Sequence, residues 1–215
     1  MLDLTFMIDI APKMARALLV TVAISVIAVA ASVVIGALFT GVRMLGARWA
    51  RWTVIAFVEF TRGVPPLVHI AIIYFLLPEA GLLINEFWTG VVALALIGGG
   101  YAVEIFRASI ISISAGQTEA ARALGLPPKL SFRLVLLPQA IRRSLPPLTN
   151  ELANIIKASS LLSVISVNEL TKVANDLIFV HFVVVEVLIE LTLLYLVIVG
   201  ILMLLSRHLE ARFAL

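Results

Sequence analysis

Between Arg16 and Arg43 the chain runs for 26 residues without a charged side chain. At about 1.5 Å per residue that run makes about 39 Å of helix, more than the roughly 30 Å of hydrocarbon in a bilayer. It is not an isolated stretch. Of 215 residues 62% are hydrophobic and 13% charged, and the mean hydropathy is +1.13. That is about half the charge of an average soluble chain, which excludes a water-soluble globule. The apolar stretches are continuous and do not alternate, so a membrane barrel is excluded as well. The expectation is an all-α polytopic membrane protein, one transmembrane domain over residues 1–215. A cleaved signal peptide does not fit, because the run is too long, Asp3 and Asp9 precede it, and no cleavage pattern follows. The absence of cysteine removes disulfides, thiolate metal sites and cysteine nucleophiles. The net charge of +3 comes from 16 basic residues, too few for a nucleic-acid surface and better read by membrane side.

Five crossings are expected. The first lies between Arg16 and Arg43. A second covers about Thr53 to Leu77 and is interrupted by Glu59, Arg62, Gly63, Pro65 and Pro66, so a kink or break is predicted there. The third covers about Phe87 to Ile113, and its Gly98-Gly99-Gly100 run lets another backbone approach closely. A fourth, about Ser144 to Val167, is the most polar, and the fifth covers about Leu177 to Ser206 with Glu186 and Glu190 inside it. The connections after the first and third crossings, with the C-terminus, carry Arg43, Arg48, Arg51, Arg122, Lys129, Arg133, Arg142, Arg143, Arg207 and Arg212. The other side has Lys13, Arg16 and Lys172 beside Asp3, Asp9, Glu79, Glu86, Glu169 and Asp176. The positive-inside rule then puts the N-terminus outside and the C-terminus inside, with residues 114–143 as the one sizeable cytoplasmic loop.

Within that loop Ser114 and Gln117 have the spacing of a capping box. Gly125 stands where a left-handed residue would end a helix, and Pro127-Pro128 forbid its continuation. A short helix over about 115–124 is predicted. Its alanine-rich body presents a narrow surface suited to a cleft of another protein, or to a plain interfacial connector.

The stretch Glu119 to Pro138 reads EAARALGLPPKLSFRLVLLP. It resembles the EAA signature of bacterial ABC importer permeases: Glu-Ala-Ala, three residues, Gly, nine residues, an aliphatic residue, one more, then Leu-Pro. Val135 replaces the usual isoleucine. The resemblance extends to Glu59–Leu67, Glu104–Arg107, Leu137–Ala140 and Lys157–Ile165, and is closest to the polar amino acid permeases of the histidine and glutamine type. Ala158-Ser159 departs from the expected Thr-Ser. What the resemblance implies is a subunit in the bacterial inner membrane that pairs with a second permease chain. The loop helix would dock on a cytoplasmic ATPase dimer, and an extracytoplasmic solute-binding protein would deliver a polar amino acid or a related opine. The coupling residues would be Glu119, Ala120, Ala121, Arg122, Gly125, Leu137 and Pro138. No cofactor is expected in this chain, with ATP and magnesium held by the partner ATPase. Independently of the resemblance, none of the four lysines follows a glycine, so there is no phosphate-binding Gly-Lys-Ser/Thr loop. His69, His181 and His208 lack metalloprotease spacing, and no Gly-x-Ser-x-Gly elbow exists, so no metal site or membrane enzyme is expected.

Charges at membrane depth usually face a bundle interior or a cavity. Glu59 and Arg62 lie about 12 and 16 Å along a helix from Arg51. Their i, i+3 spacing fits either an internal ion pair or a lining of the substrate pathway. Glu104 and Arg107 repeat the spacing near the cytoplasmic interface, as a gating or structural ion pair. Glu151, Asn154 and Lys157 form a polar stripe about 12 to 21 Å above Arg143 and, with Ser159 and Ser160, are the leading pathway candidates. A self-contained channel or ion-coupled carrier using Glu59, Glu151 and Lys157 is the rival to an ATP-driven importer, and it would move solute without a motor subunit.

Overall fold

The computed structural model describes residues 3–213, with side chains to residue 208, and among these residues there is no strand. Nine α-helices follow one another: α1 (Leu4–Leu45), α2 (Arg48–Gly63), α3 (Pro66–Glu79), α4 (Glu86–Ile111), α5 (Ala115–Ala123), α6 (Pro128–Ser131), α7 (Leu137–Ala158), α8 (Leu170–His181) and α9 (Val185–Phe213). A π-helical segment, Phe132–Leu136, joins α6 to α7, and a 3-10 segment, Ser159–Ile165, follows α7. Three helices, at 4–45, 86–111 and 185–208, are long and apolar enough to cross a membrane. The pair α2 and α3 makes a fourth if counted as one, bent by 111° at its break. The remaining crossing expected from the sequence rests on α7, which has the length for it at 22 residues and the composition of a polar helix.

α1 and α4 form the central pair. Ser32 Oγ donates to the Ala95 carbonyl at 3.2 Å, Thr40 Oγ1 to the Val103 carbonyl at 3.2 Å, and Arg43 pairs with Glu104. Contacts advance in the same sense along both chains, so the two helices run parallel. The glycine run makes this possible. A Cβ on Gly98 would sit 2.5 Å from Ser32 Oγ and from Ile155, and one on Gly100 would overlap Thr61 Oγ1. α2 and α7 run the other way, Thr61 meeting Gly100 while Val54 and Val58 meet Val103, and Ile155 meeting Gly98 while Arg143 bonds Ser112. The main core gathers Ile24, Ala28, Ile70, Leu94, Ile155 and Leu162. Two thirds (67%) of the most apolar window of α4 is buried within the chain, against 6% for α9, so α4 is the axis and α9 the outer wall.

Several boundaries differ from expectation. α1 begins at Leu4, twelve residues before Arg16, because Asp3 caps it by accepting the Phe6 N–H at 3.0 Å and Pro12 does not stop it. Its 42 residues make about 63 Å, so its first turns extend past the hydrocarbon and pack Ile10, Met14 and Ala17 against Leu170, Ala174, Leu177 and Val187. The fifth crossing does not start at Leu177. α8 is a separate helix capped by Glu169 and ended by Phe182 in the left-handed region at φ 57°, and α9 starts at Val185. The second crossing starts earlier, at Arg48, and breaks at Val64-Pro65, where Pro65 removes a donor. The 114–143 segment is a loop only as far as Pro127. From Pro128 the backbone is helical without interruption to Ala158, and the fourth crossing is helical in α7 only to that residue. The Arg212 side chain, counted on the basic side, lies outside the described ones.

Candidate functional site

α5 stands at the basic end of the bundle. Ser114 caps it, its Oγ accepting the Gly116 N–H at 3.3 Å. The reciprocal half of the expected capping box does not form. Gln117 instead accepts from Gln139 Nε2 at 3.2 Å, and the same amide donates to the Val135 carbonyl at 2.8 Å. The short helix is thereby tied to the first turns of α7. It ends at Ala123 in a Schellman motif: the Leu126 N–H donates to the Ala121 carbonyl at 3.1 Å and the Gly125 N–H to the Arg122 carbonyl at 2.9 Å. Gly125 takes φ +74°, a region where an L side chain costs about 1–2 kcal/mol. A Cβ there would meet nothing within 4 Å in this chain.

Ala121 is buried and fixes the inner face of α5. Glu119, Ala120 and Arg122 are exposed on the other side, beside Leu124, which is 81% exposed. Leu137 and Pro138 are not on that face. They open α7 directly after the π-helical segment Phe132–Leu136, and Pro138 has no N–H to donate. The residues of the signature thus divide into an exposed face and the stem carrying it. Arg143 fastens the stem to α4, donating to the Ser112 carbonyl at 2.5 Å and its hydroxyl at 3.0 Å.

Above α5 a cleft of about 420 Å³ opens between α2, α4 and α7, lined among others by Arg62, Tyr101, Glu104, Ser109, Ser112 and Arg143. Glu104 and Arg107 pair as expected, with Arg107 Nη2 2.6 Å and Nε 3.0 Å from Glu104 Oε2. The other carboxylate oxygen accepts from Arg43, so this is a cluster of two cations on one anion joining α1 to α4. The Glu59–Arg62 ion pair does not form. Arg62 lies over the Tyr101 ring at 5.6 Å from its centroid, and Glu59 is exposed one turn away. The π-face of the tyrosine and the rotation set by Thr61 against Gly100 turn Arg62 toward α4.

In α7, Glu151 is buried and accepts from Asn154 Nδ2 at 3.4 Å, while Asn154 and Lys157 are exposed. Ser160 is half-buried, and its Oγ donates to the Lys157 carbonyl at 2.7 Å. Ser159 is fully buried, with its Oγ donating to the Ile156 carbonyl at 2.7 Å. The structure therefore brings Arg62 and Glu104 into one cleft, and places Glu151, Asn154 and Lys157 further along α7, beyond the Arg143 and Pro147 that line it.

The sequence reading missed Arg43 and Tyr101, since nothing local reports a contact across 61 residues. It also missed the polar cluster at the opposite end. There the Glu169 carboxylate, fully buried, accepts the Thr171 and Lys172 N–H groups at 2.9 and 2.7 Å and the Tyr195 hydroxyl at 3.3 Å. Burial pushes its pKa above the ordinary carboxylate value, and the hydrogen bonds only partly oppose this. Glu186, at the start of α9, accepts the Asp3 N–H at 3.1 Å.

The chain is similar to several known proteins. The glutamine transport system permease protein GlnP of Escherichia coli is 39% identical over 194 residues, 89% of each chain. A probable glutamine ABC transporter permease protein of Bacillus subtilis is 38% identical over 192 residues, again 89% of each. A probable amino-acid ABC transporter permease protein of Sinorhizobium fredii is 35% identical over 173 residues, 80% of this chain and 75% of its own. Among solved structures, an amino acid ABC transporter crystallised with histidines superposes with a TM-score of 0.92 at 32% identity over 99% of both chains. The inward-facing MetNI methionine ABC transporter shares the fold, with a TM-score of 0.82 at 18% identity, covering 96% of this chain and 99% of its own. The family described as the binding-protein-dependent transport system inner membrane component matches residues 32–215. This chain belongs to that family: it is a multi-pass membrane permease subunit of an ABC transporter, and not an enzyme in its own right.

Proposed function

We propose that the chain builds the translocation pathway for a polar amino acid, or a close relative such as an opine, in the cytoplasmic membrane of a bacterium. It crosses five times, N-terminus outside and C-terminus inside, and pairs with a second permease chain, identical or related. A solute-binding protein delivers substrate from outside. Magnesium and ATP are bound by a cytoplasmic ATPase dimer, whose closure moves the docked α5 and reorients the helices around a central cavity. The substrate class follows from the relatives, and it suits a chain offering both signs of charge: Arg62 and Glu104 in the cleft, Glu151 and Lys157 on α7. Glu59, Asn154, Ser159 and Ser160 complete the proposed pathway set.

The observation that carries this reading is α5 itself. A nine-residue helix is closed at both ends, anchored through Ala121 and Gln117, and leaves Glu119, Ala120, Arg122 and Gly125 bare. A connector that only lay on lipid would not need a stop with open space around it. The substitution Gly125→Asp tests the idea. It is expected to leave membrane insertion intact and to abolish co-purification of the ATPase subunit. Normal co-purification would remove the docking role. Reconstitution with the binding protein should then show ATP hydrolysis stimulated by the amino acid that protein carries.

A further inference from the structure

The turn from α1 into α2 follows immediately on the long uncharged run, and no part of the mechanism above uses it. Within residues 43–52 stand Arg43, Arg48 and Arg51, and the next acidic residue in the chain is Glu59. Arg43 is committed to Glu104. Arg48 and Arg51 are exposed, and Arg51 Nε folds back onto the Gly46 carbonyl at 2.7 Å, which holds its guanidinium over the turn. Beside them Trp49 and Trp52 are 76% and 62% exposed, and Leu45 is 86% exposed. α2 buries its other side, Val54 and Val58, against Val103. The corner therefore exposes two indoles and two cations within the five residues 48–52, at the end of the uncharged run where the hydrocarbon is expected to stop.

From this juxtaposition we propose that the α1–α2 corner holds an anionic phospholipid, the phosphodiester of its headgroup lying on Arg48 and Arg51 and its upper acyl region against Trp49, Trp52 and Leu45. Charge complementarity selects this occupant. An apolar chain alone would leave two guanidinium groups without counter-ions, and an acidic protein surface alone would leave two indoles in water. Tryptophan at the interface and arginine beside it are the two groups that read headgroup level and headgroup charge. Because Arg43 lies in the same turn and holds Glu104, the bound lipid borders the contact that joins α1 to α4.

The chain has only three tryptophans, so replacing Trp88 isolates the two at the corner. The full chain carrying Trp88→Phe is reconstituted in vesicles of phosphatidylcholine containing brominated phosphatidylglycerol, or brominated phosphatidylcholine at the same mole fraction. Stronger quenching by the anionic lipid is expected. Each arginine near an anionic surface is worth about fivefold in local preference, so Arg48→Gln with Arg51→Gln should lower it by up to about thirtyfold. High salt should weaken the preference in the Trp88→Phe chain itself, a readout that does not depend on the double variant folding. Equal quenching by both lipids, or a preference that survives both substitutions, overturns the proposal. Loss of quenching on adding a tryptophan-free ATPase subunit would assign the corner to that protein and overturn it too.

Discussion

Glu104 is the residue on which the basic half of the bundle turns. Two guanidinium groups from different helices share its carboxylate, with side chains 18–33% exposed, so removing the anion leaves like charges facing each other without full solvation. Glu104→Gln should lower the thermal unfolding midpoint in detergent more than Arg107→Gln, which deletes the more exposed partner. Gly100→Ala is expected to cost about 1–3 kcal/mol by overpacking, because Thr61 is held by bonds to Phe57 and Val58 and cannot turn aside. Gly200→Ala, with open space around it, should be neutral or stabilising in the same assay. Glu169 carries a pH dependence. Its folded pKa is raised, so the native state binds more protons than the unfolded one between the ordinary carboxylate value and the raised one, and stability falls as pH rises through that window. Melting curves taken from the ordinary carboxylate value upward should show this slope, reduced in Glu169→Gln. Of these residues Glu104 could be picked out beforehand, because Arg107 stands three positions away, and Gly100, because it closes a run of three glycines. The burial of Glu169 depends on Tyr195, 26 residues on, and left no local trace.

Among the elements, α5 was legible almost to the residue, because its signals are local: a hydroxyl before the first turn, a glycine in the left-handed position, two prolines after it. α8 was not. Its start at Leu170 is apolar, its cap is a glutamate, and its end is an exposed phenylalanine in the left-handed region, which no turn rule selects. The break between α2 and α3 was foreseen from Gly63, Pro65 and Pro66, whereas its 111° bend depends on where Ile70 finds the core. The link between Gln117 and Gln139 also lay outside reach, since the capping rule assigns Gln117 to its own helix. Gln139→Leu should loosen α5, raising amide hydrogen exchange over 115–123 and weakening ATPase association, while leaving helix content unchanged.

At the scale of the molecule, α1 and α4 run one way and α2 and α7 the other, while α3 turns off α2 by 111°. Composition foresaw the bilayer and the charge count proposed its sides; packing order lay beyond both, because it follows from which glycine meets which hydroxyl. The lack of native cysteine makes the orientation directly testable. A cysteine at Lys129 should react with a membrane-impermeant maleimide only in inverted vesicles, and one at Glu79 only in intact cells. The opposite pattern would reverse the topology.

The backbone from Pro128 to Ala158 is a single helical stretch of about 46 Å that passes through a π-helical segment at 132–136. Such a shaft behaves as a lever arm with a soft joint close to its driven end. A stroke applied at α5 would travel past Arg143 to the buried Glu151, and any misalignment at the exposed end would be absorbed at the joint, which precedes both residues along the shaft.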